Sequence, residues 1–307
     1  MIKVGITGGH TPRAAELLRI LVNHPDVEII SIHSPQNAGK PVATVHHGFI
    51  GERRLLFTSN FDAANLDIVF IIEPVHSPYE WRQMMAENPA LKMIVYDNGK
   101  AVTDALESSP LFGLSEINRK GLVRGARVAL LPNPVSSLAM ISMYPLASHL
   151  MVPNQVSLRV SLPSALMPGL SASEVIHSEI LDNMTLTQSS FTGMLPIEYN
   201  DSGRERGMAV EFTIPGDTPL DELFKLYDSI YDDHNFTFMV PFDVDYNEVE
   251  GTNKCILTIS KPDNDTIRIR GVADAYMRGN AAEAVHIMNL MSGLFEKTGL
   301  TLKTINY

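Results

Sequence analysis

Apolar and polar positions follow two different rhythms along the chain. In the first half, short apolar runs alternate with stretches of helical periodicity. Ile2 to Thr7, "VEIISIH" (27–33), "LDIVFII" (66–72), "LKMIVYD" (91–97) and Arg127 to Leu131 are near-continuous apolar runs. Between the first two, Ala14, Leu17, Leu18, Ile20 and Leu21 recur at helical spacing, and "YEWRQMMAEN" (79–88) repeats the pattern before the fourth. Runs apolar on both faces, separated by helices, predict a parallel sheet covered on both sides. A further helical pattern continues to His149. After about residue 150 the rhythm shortens to two. "NQVSLRVSLP" (154–163), "MAVEFTIPG" (208–216), "KCILTISK" (254–261) and "TIRIRGVAD" (266–274) alternate apolar with polar residues. That pattern predicts a mainly antiparallel sheet with one wet face. Helices are expected over 171–182 and 219–232, and a closing amphipathic helix carries Ala284, Ile287, Met288 and Met291 on one stripe.

The chain therefore divides into a Rossmann-type α/β domain over 1–150, rejoined by a C-terminal helix within 276–307, and an α+β domain over 151–275. Gly8 and Gly9 follow the first strand, where such a fold carries its phosphate-binding turn. The 307 residues suffice for two cores. A net charge of −11, with no run of Lys or Arg, argues against a nucleic-acid partner. No apolar stretch reaches the roughly 18 residues needed to span a bilayer. The start "MIKVGITGG" has neither the charged opening nor the apolar core of a signal peptide, so a cytoplasmic location is expected. The single cysteine, Cys255, has no second thiol to pair with in the chain and reads as a small buried apolar residue.

Several stretches, in order from one end to the other, resemble the N-acetyl-gamma-glutamyl-phosphate reductases of the semialdehyde dehydrogenase family. They are Gly5 to Pro25, "SPQNAG" (34–39), "FGLSEINR" (112–119), "YPLASHLM" (144–151), Arg206-Gly207, "TNKC" (252–255) and "EAVHIMNLM" (283–291). The resemblance implies NADP-dependent reduction of an acyl phosphate to a semialdehyde. A cysteine thiolate attacks the acyl phosphate, and hydride then reduces the thioester. It also implies a homodimer or homotetramer, with the dimer built through the sheet of the second domain. An apolar outer face is expected there, on a domain too thin to cover both sides.

The reactive positions of the family are altered in this chain. The cysteine belongs at a helix start, where the helix field lowers a thiol pKa. Counting back from Tyr144-Pro145-Leu146 puts Pro134 there; anchoring on Asn133-Pro134 puts Ser136 there. An ester is a poorer hydride acceptor than a thioester, and an unactivated hydroxyl needs an adjacent base. The family's histidine base precedes a Pro-Glu-Ile type sequence, but here Gly193, Met194 and Leu195 stand before Pro196. His177 is the nearest alternative, and on a helical stretch it reads as a plain surface or core residue. In the dinucleotide loop the three family glycines fall on Gly8, Thr11 and Ala14, and Pro12 removes a helix-start N–H. Ser34, Asn37 and Lys40 remain candidates for an adenosine ribose or its 2′-phosphate, with a polar loop as the plain reading. Ala275 replaces an asparagine that would face the nicotinamide. Arg206 matches the arginine that holds the substrate's anion, though a loop of about twenty residues before it is missing and an exposed arginine in a charged turn is an equal reading. "DNGKAVT" (97–103) replaces a family Ser and Arg.

A nucleophile and its base act as a unit. Their joint loss, with the scaffold segments kept, points to a reductase-like protein inactive in the parent reaction. Such a protein retains weakened NADP affinity or none, and serves as a small-molecule binder or a partner of a related reductase subunit. The alternative is an active N-acyl-glutamyl-phosphate reductase of arginine biosynthesis, or an oxidoreductase with a changed mechanism. A protein that binds no small ligand and acts only through other proteins is the third class.

Overall fold

The structure, a computed structural model, describes residues 1–52, 55–73, 76–96 and 111–304. The 97–103 stretch, which stands in place of a family Ser and Arg, lies outside them. The chain forms two compact units: Met1–Pro132 with Asn280–Thr301, and Asn133–Gly279 with the tail that begins at Leu302.

The first unit is built on a six-stranded sheet, β1 (Ile2–Thr7), β2 (Val27–Ile32), β3 (Ile68–Ile71), β4 (Lys92–Val95), β5 (Leu111–Phe112) and β6 (Val128–Leu130). Its order is β2-β1-β3-β4-β6-β5, and every pairing is parallel. The helices α1 (Pro12–Leu21), α2 (Pro78–Glu87) and α3 (Ser115–Val123) follow strands β1, β3 and β5. Trp81 of α2 is fully buried with Leu91, Met93, Val69 and Ile71. The order is that of a doubly wound sheet, whose ligands sit at the carboxyl ends of the strands.

The C-terminal helix of this unit differs from the sequence expectation. A π-helical turn (Met277–Ala281) leads into it (Ala282–Met291), and every one of its ten residues is buried. It packs against α1, α3 and β4, so no face is left for water and the amphipathic stripe does not exist. A polar network holds it to α3. Ser115 Oγ lies 3.5 Å from His286 Nδ1, His286 Nε2 lies 3.0 Å from Glu296 Oε2, and Arg119 pairs with the same carboxylate.

Two buried imidazoles, His24 and His33, titrate below the ordinary histidine value of 6.5, chiefly because burial disfavours the imidazolium. His24 uses its neutral form fully: the Asp26 N–H donates to Nδ1 (3.2 Å) while Nε2 meets Asn289 Oδ1 (3.1 Å). The unfolded chain takes up these protons near 6.5 and the folded chain resists them. Stability should therefore fall as pH drops below about 6.5 towards the depressed folded values. Urea midpoints at pH 7.5 and pH 5.5 would show it, and His24→Gln with His33→Gln should flatten the slope. A slope that the double variant leaves unchanged would count against this assignment.

The second unit carries another six-stranded sheet, β7 (Leu158–Leu162), β8 (Ile197–Asp201), β9 (Gly207–Pro215), β10 (Thr237–Met239), β11 (Cys255–Ser260) and β12 (Thr266–Asp274). Its order is β10-β11-β12-β9-β7-β8. The three central pairings are antiparallel, as the alternation predicts, while β10 with β11 and β7 with β8 run parallel. Its helices are α4 (Pro134–Ser148), α5 (Leu170–Thr187) and α6 (Leu220–Tyr231). Helix α4 packs on β12 and β9 and is flanked by α5 and α6, which leaves twelve of its fifteen residues buried.

Pro145 lies inside α4 and has no N–H for the Ile141 carbonyl. The Tyr231 hydroxyl donates to that carbonyl instead (2.6 Å), and Tyr227 donates to the next one, Ser142 O (2.7 Å).

On the opposite side of the sheet, Val244 and Val249 close over Ala209, Ile256 and Val272. Beyond that cover the outer positions carry a row of ions. Arg159 lies between Glu198 (3.7 Å) and Glu211 (3.5 Å), and Arg268 donates to Glu211 (2.8 Å). The apolar outer face expected from the alternation is absent at these positions.

Candidate functional site

In the first unit the glycine turn follows β1. Gly8 adopts φ +66°, which favours glycine, and a methyl group there would stand 2.8 Å from Glu73 Cγ, so the Glu73 side chain would have to shift. Thr11 is the N-cap of α1: its hydroxyl donates to Gly8 O (2.8 Å) and accepts from Ala14 N–H (3.2 Å). Pro12 occupies the first helical position and brings no N–H. Two donors that a helix start would offer an anion are thus missing or engaged within the chain.

Glu73, just beyond β3, lies beside this turn. Thr7 Oγ1 donates to its carbonyl (2.6 Å), and His10 Nε2 stands 3.9 Å from its carboxylate. His46 Nε2 meets the Gly9 carbonyl at 2.8 Å. The sequence carries no motif that marks Glu73, His10 or His46. A single carboxylate after a strand reads as solvated, and only the pairing of β1 with β3 brings it to the turn.

Ser34 and Asn37, the ribose candidates, meet each other. Ser34 is 1% exposed, and its hydroxyl accepts from Asn37 Nδ2 (3.1 Å) across a single 3₁₀ turn. Lys40 is exposed at the end of that loop.

In the second unit the turn "NPVSS" opens α4. Asn133 is the N-cap, with its side chain accepting from Val135 N–H (2.9 Å), and Pro134 is the first helical residue. Pro134 lies against Gly279, whose φ of +62° and missing side chain admit it; a methyl group there would be 2.4 Å from Pro134 Cα. Ser136, third in the helix, is fully buried, and its hydroxyl has no hydrogen-bond partner among the described residues. An ionisable group at this turn is Glu179 of α5, a 4% exposed residue whose carboxylate accepts the Asn133 N–H at 3.2 Å. It performs, from another helix, what a Glu at the third helical position does in a capping box.

His177 lies two residues before Glu179, about 200° around the helix, so it points away from the side that carries the carboxylate. Its ring contacts the Met194 carbonyl, in the segment where the family's base is expected. Leu195 is fully buried with φ +47°.

Arg206 lies before β9, paired with Asp274 at the end of β12. Its Nε donates to Oδ2 at 2.8 Å, and its guanidinium stacks on Tyr276 at 4.9 Å. Asp274 is fully buried and also accepts backbone N–H groups from Gly251 (2.6 Å), Tyr276 (2.8 Å) and Met277 (3.2 Å). Ala275 donates its N–H to the Arg206 carbonyl (2.9 Å). Cys255 is buried at the start of β11, opposite Ala273. Among the described residues, no group of three or more His, Cys, Asp and Glu side chains is arranged to hold a metal ion. Nor, among them, is any helix long and apolar enough to cross a membrane.

Residues 3–124 match the NAD-binding domain of semialdehyde dehydrogenases. Along its whole length the chain is similar to N-acetyl-gamma-glutamyl-phosphate reductases. It is 30% identical to that of Parabacteroides distasonis and 29% identical to that of Bacteroides fragilis, with 99% of each chain covered in both cases. Among solved structures, an aspartate semialdehyde dehydrogenase II from Vibrio cholerae superposes with a TM-score of 0.67 at 11% identity, covering 95% of this chain and 98% of that one. A probable aspartate-semialdehyde dehydrogenase from Pseudomonas aeruginosa gives 0.63 at 14% identity, with the same coverage.

Proposed function

The chain belongs to the semialdehyde dehydrogenase family as an N-acetyl-gamma-glutamyl-phosphate reductase-like member, and from that premise we propose that it no longer performs the parent acyl-phosphate reduction. The observation that carries this reading is the start of α4. There a buried hydroxyl, without a partner among the described residues, and a proline stand in place of a thiol, and a carboxylate already takes the cap N–H. The family reaction needs a thiolate to form an acyl-enzyme and a base to manage protons. Neither Pro134 nor Ser136 is a thiol, and none of Gly193, Met194 and Leu195 has a titratable side chain.

The loss extends to the cofactor. The first unit retains the family's NAD-binding domain, but a diphosphate would meet a capped helix start, a proline and a carboxylate, so its residues do not fit the group well. The protein acts instead as a cytoplasmic ligand-binding or partner subunit. It assembles as a homodimer through the second sheet, where the row of Arg159, Glu211 and Arg268 makes the contact ionic. Light scattering at micromolar concentration tests the dimer, and a mass near 34 kDa would exclude it.

One observation favours a working enzyme of changed mechanism: the His177 ring rests on the segment where a base is expected. Helical geometry turns it away from Glu179 and the Ser136 turn, which argues against it as Ser136's base. The deciding experiment is phosphate-dependent oxidation of N-acyl-glutamate semialdehyde with NADP. The unmodified protein and Ser136→Ala should both lack activity; turnover that vanishes in Ser136→Ala would restore the enzyme reading.

A further inference from the structure

The glycine turn raises a question of selectivity that the loss of a nucleophile does not answer. Such turns bind diphosphates because backbone N–H groups and the start of a helix supply positive potential. Here the side chain of Glu73 packs on the bare α-carbon of Gly8, the glycine that makes the tight turn three residues before the N-cap Thr11. A β-carbon on Gly8 would lie 2.8 Å from Glu73 Cγ and 3.1 Å from Cδ. The Thr7 hydroxyl fixes the Glu73 backbone, and the carboxylate is on the same side as His10 at 3.9 Å. Glu73 is half-exposed, so its charge faces the solvent a ligand would come from.

We infer that Glu73 is a charge gate on the glycine turn, selecting against ligands that carry a diphosphate and leaving the first unit open to uncharged or cationic ones. The inference uses the family reading only to choose its probes and does not depend on catalysis having been lost. Thr11 and Pro12 reduce what the helix start can offer, whereas Glu73 adds repulsion. The two effects are separable, because only repulsion is relieved by removing one charge at constant shape.

The test is Glu73→Gln in the full chain, with NADPH fluorescence and thermal shift as readouts and NADP, ADP and adenosine as probes. Removing one like charge about 5 Å from a diphosphate is worth about tenfold in affinity. NADP and ADP should therefore bind about tenfold more tightly to the variant, adenosine should be unchanged, and the gain should shrink in high salt. Micromolar binding of NADP by the unmodified protein would overturn the gate. So would equal affinities, or equally undetectable binding, in protein and variant. Turnover by the unmodified protein with weak NADP binding would instead sink the loss of catalysis and leave the gate standing.

Discussion

Asp274→Ala is expected to lower the stability of the second unit by about 3–5 kcal/mol, the range for removing one partner of a buried charge pair. The carboxylate is fully buried and collects an arginine and three backbone N–H groups from two segments, Gly251 on one side and Tyr276 and Met277 on the other. Its removal strands all of them, and each buried donor left without an acceptor costs roughly 1–3 kcal/mol before relaxation. Asp274→Asn keeps one acceptor oxygen and should cost distinctly less. In a domain of this size 1 kcal/mol is about 2–4 °C, so the alanine variant should melt on the order of 10 °C lower. A fall of only a degree or two would mean that water replaces the carboxylate and that the pair contributes little to stability.

The second large effect is a failure to restore. Ser136→Cys alone should remain at least about 10⁴-fold below the Parabacteroides distasonis relative in the same assay, because a nucleophile without its base loses most of its effect. The reason lies at the start of α4, where the Glu179 carboxylate accepts the Asn133 N–H. A thiol placed one helical turn away would share the helix start with a carboxyl group that already takes the cap N–H, and would have no imidazole to accept its proton. A histidine within 193–195 would still be needed, and Thr11 and Glu73 would still stand at the glycine turn. Turnover within tenfold of the relative by Ser136→Cys would show that the base is dispensable.

Much of this architecture was legible in the sequence. Strands such as β3 and β4 are apolar on both faces because helices cover both, and a run like "IVFI" has few other uses. The parallel edges of the second sheet were not legible, since β7 and β8 show the same alternation whichever way a neighbour runs. The ionic row on that sheet was hidden for a related reason. Arg159, Glu211 and Arg268 are far apart in sequence and become neighbours only through register. At the reactive positions the absences could be read directly: no thiol at Pro134 or Ser136 and no imidazole at 193–195. What replaces them could not. Glu73 and Glu179 are ordinary carboxylates by composition, and only the packing of β3 beside β1 and of α5 beside α4 gives them their surroundings.

The proline inside α4 has a consequence for how the second unit comes into being. A helix normally closes its own hydrogen bonds within a few residues, at nanosecond cost per step. This one leaves the Ile141 carbonyl open at Pro145, and the donor that closes it is a phenol ninety residues later. An isolated 134–148 segment is therefore not a stable helix waiting to dock. Its last turns gain their missing donor only when α6 docks. Local opening of α4 then requires much of the unit to open, so its amides should be among the slowest to exchange. The helix that opens with the altered turn and the helix that closes its gap are in this sense one cooperative element, and should be lost together.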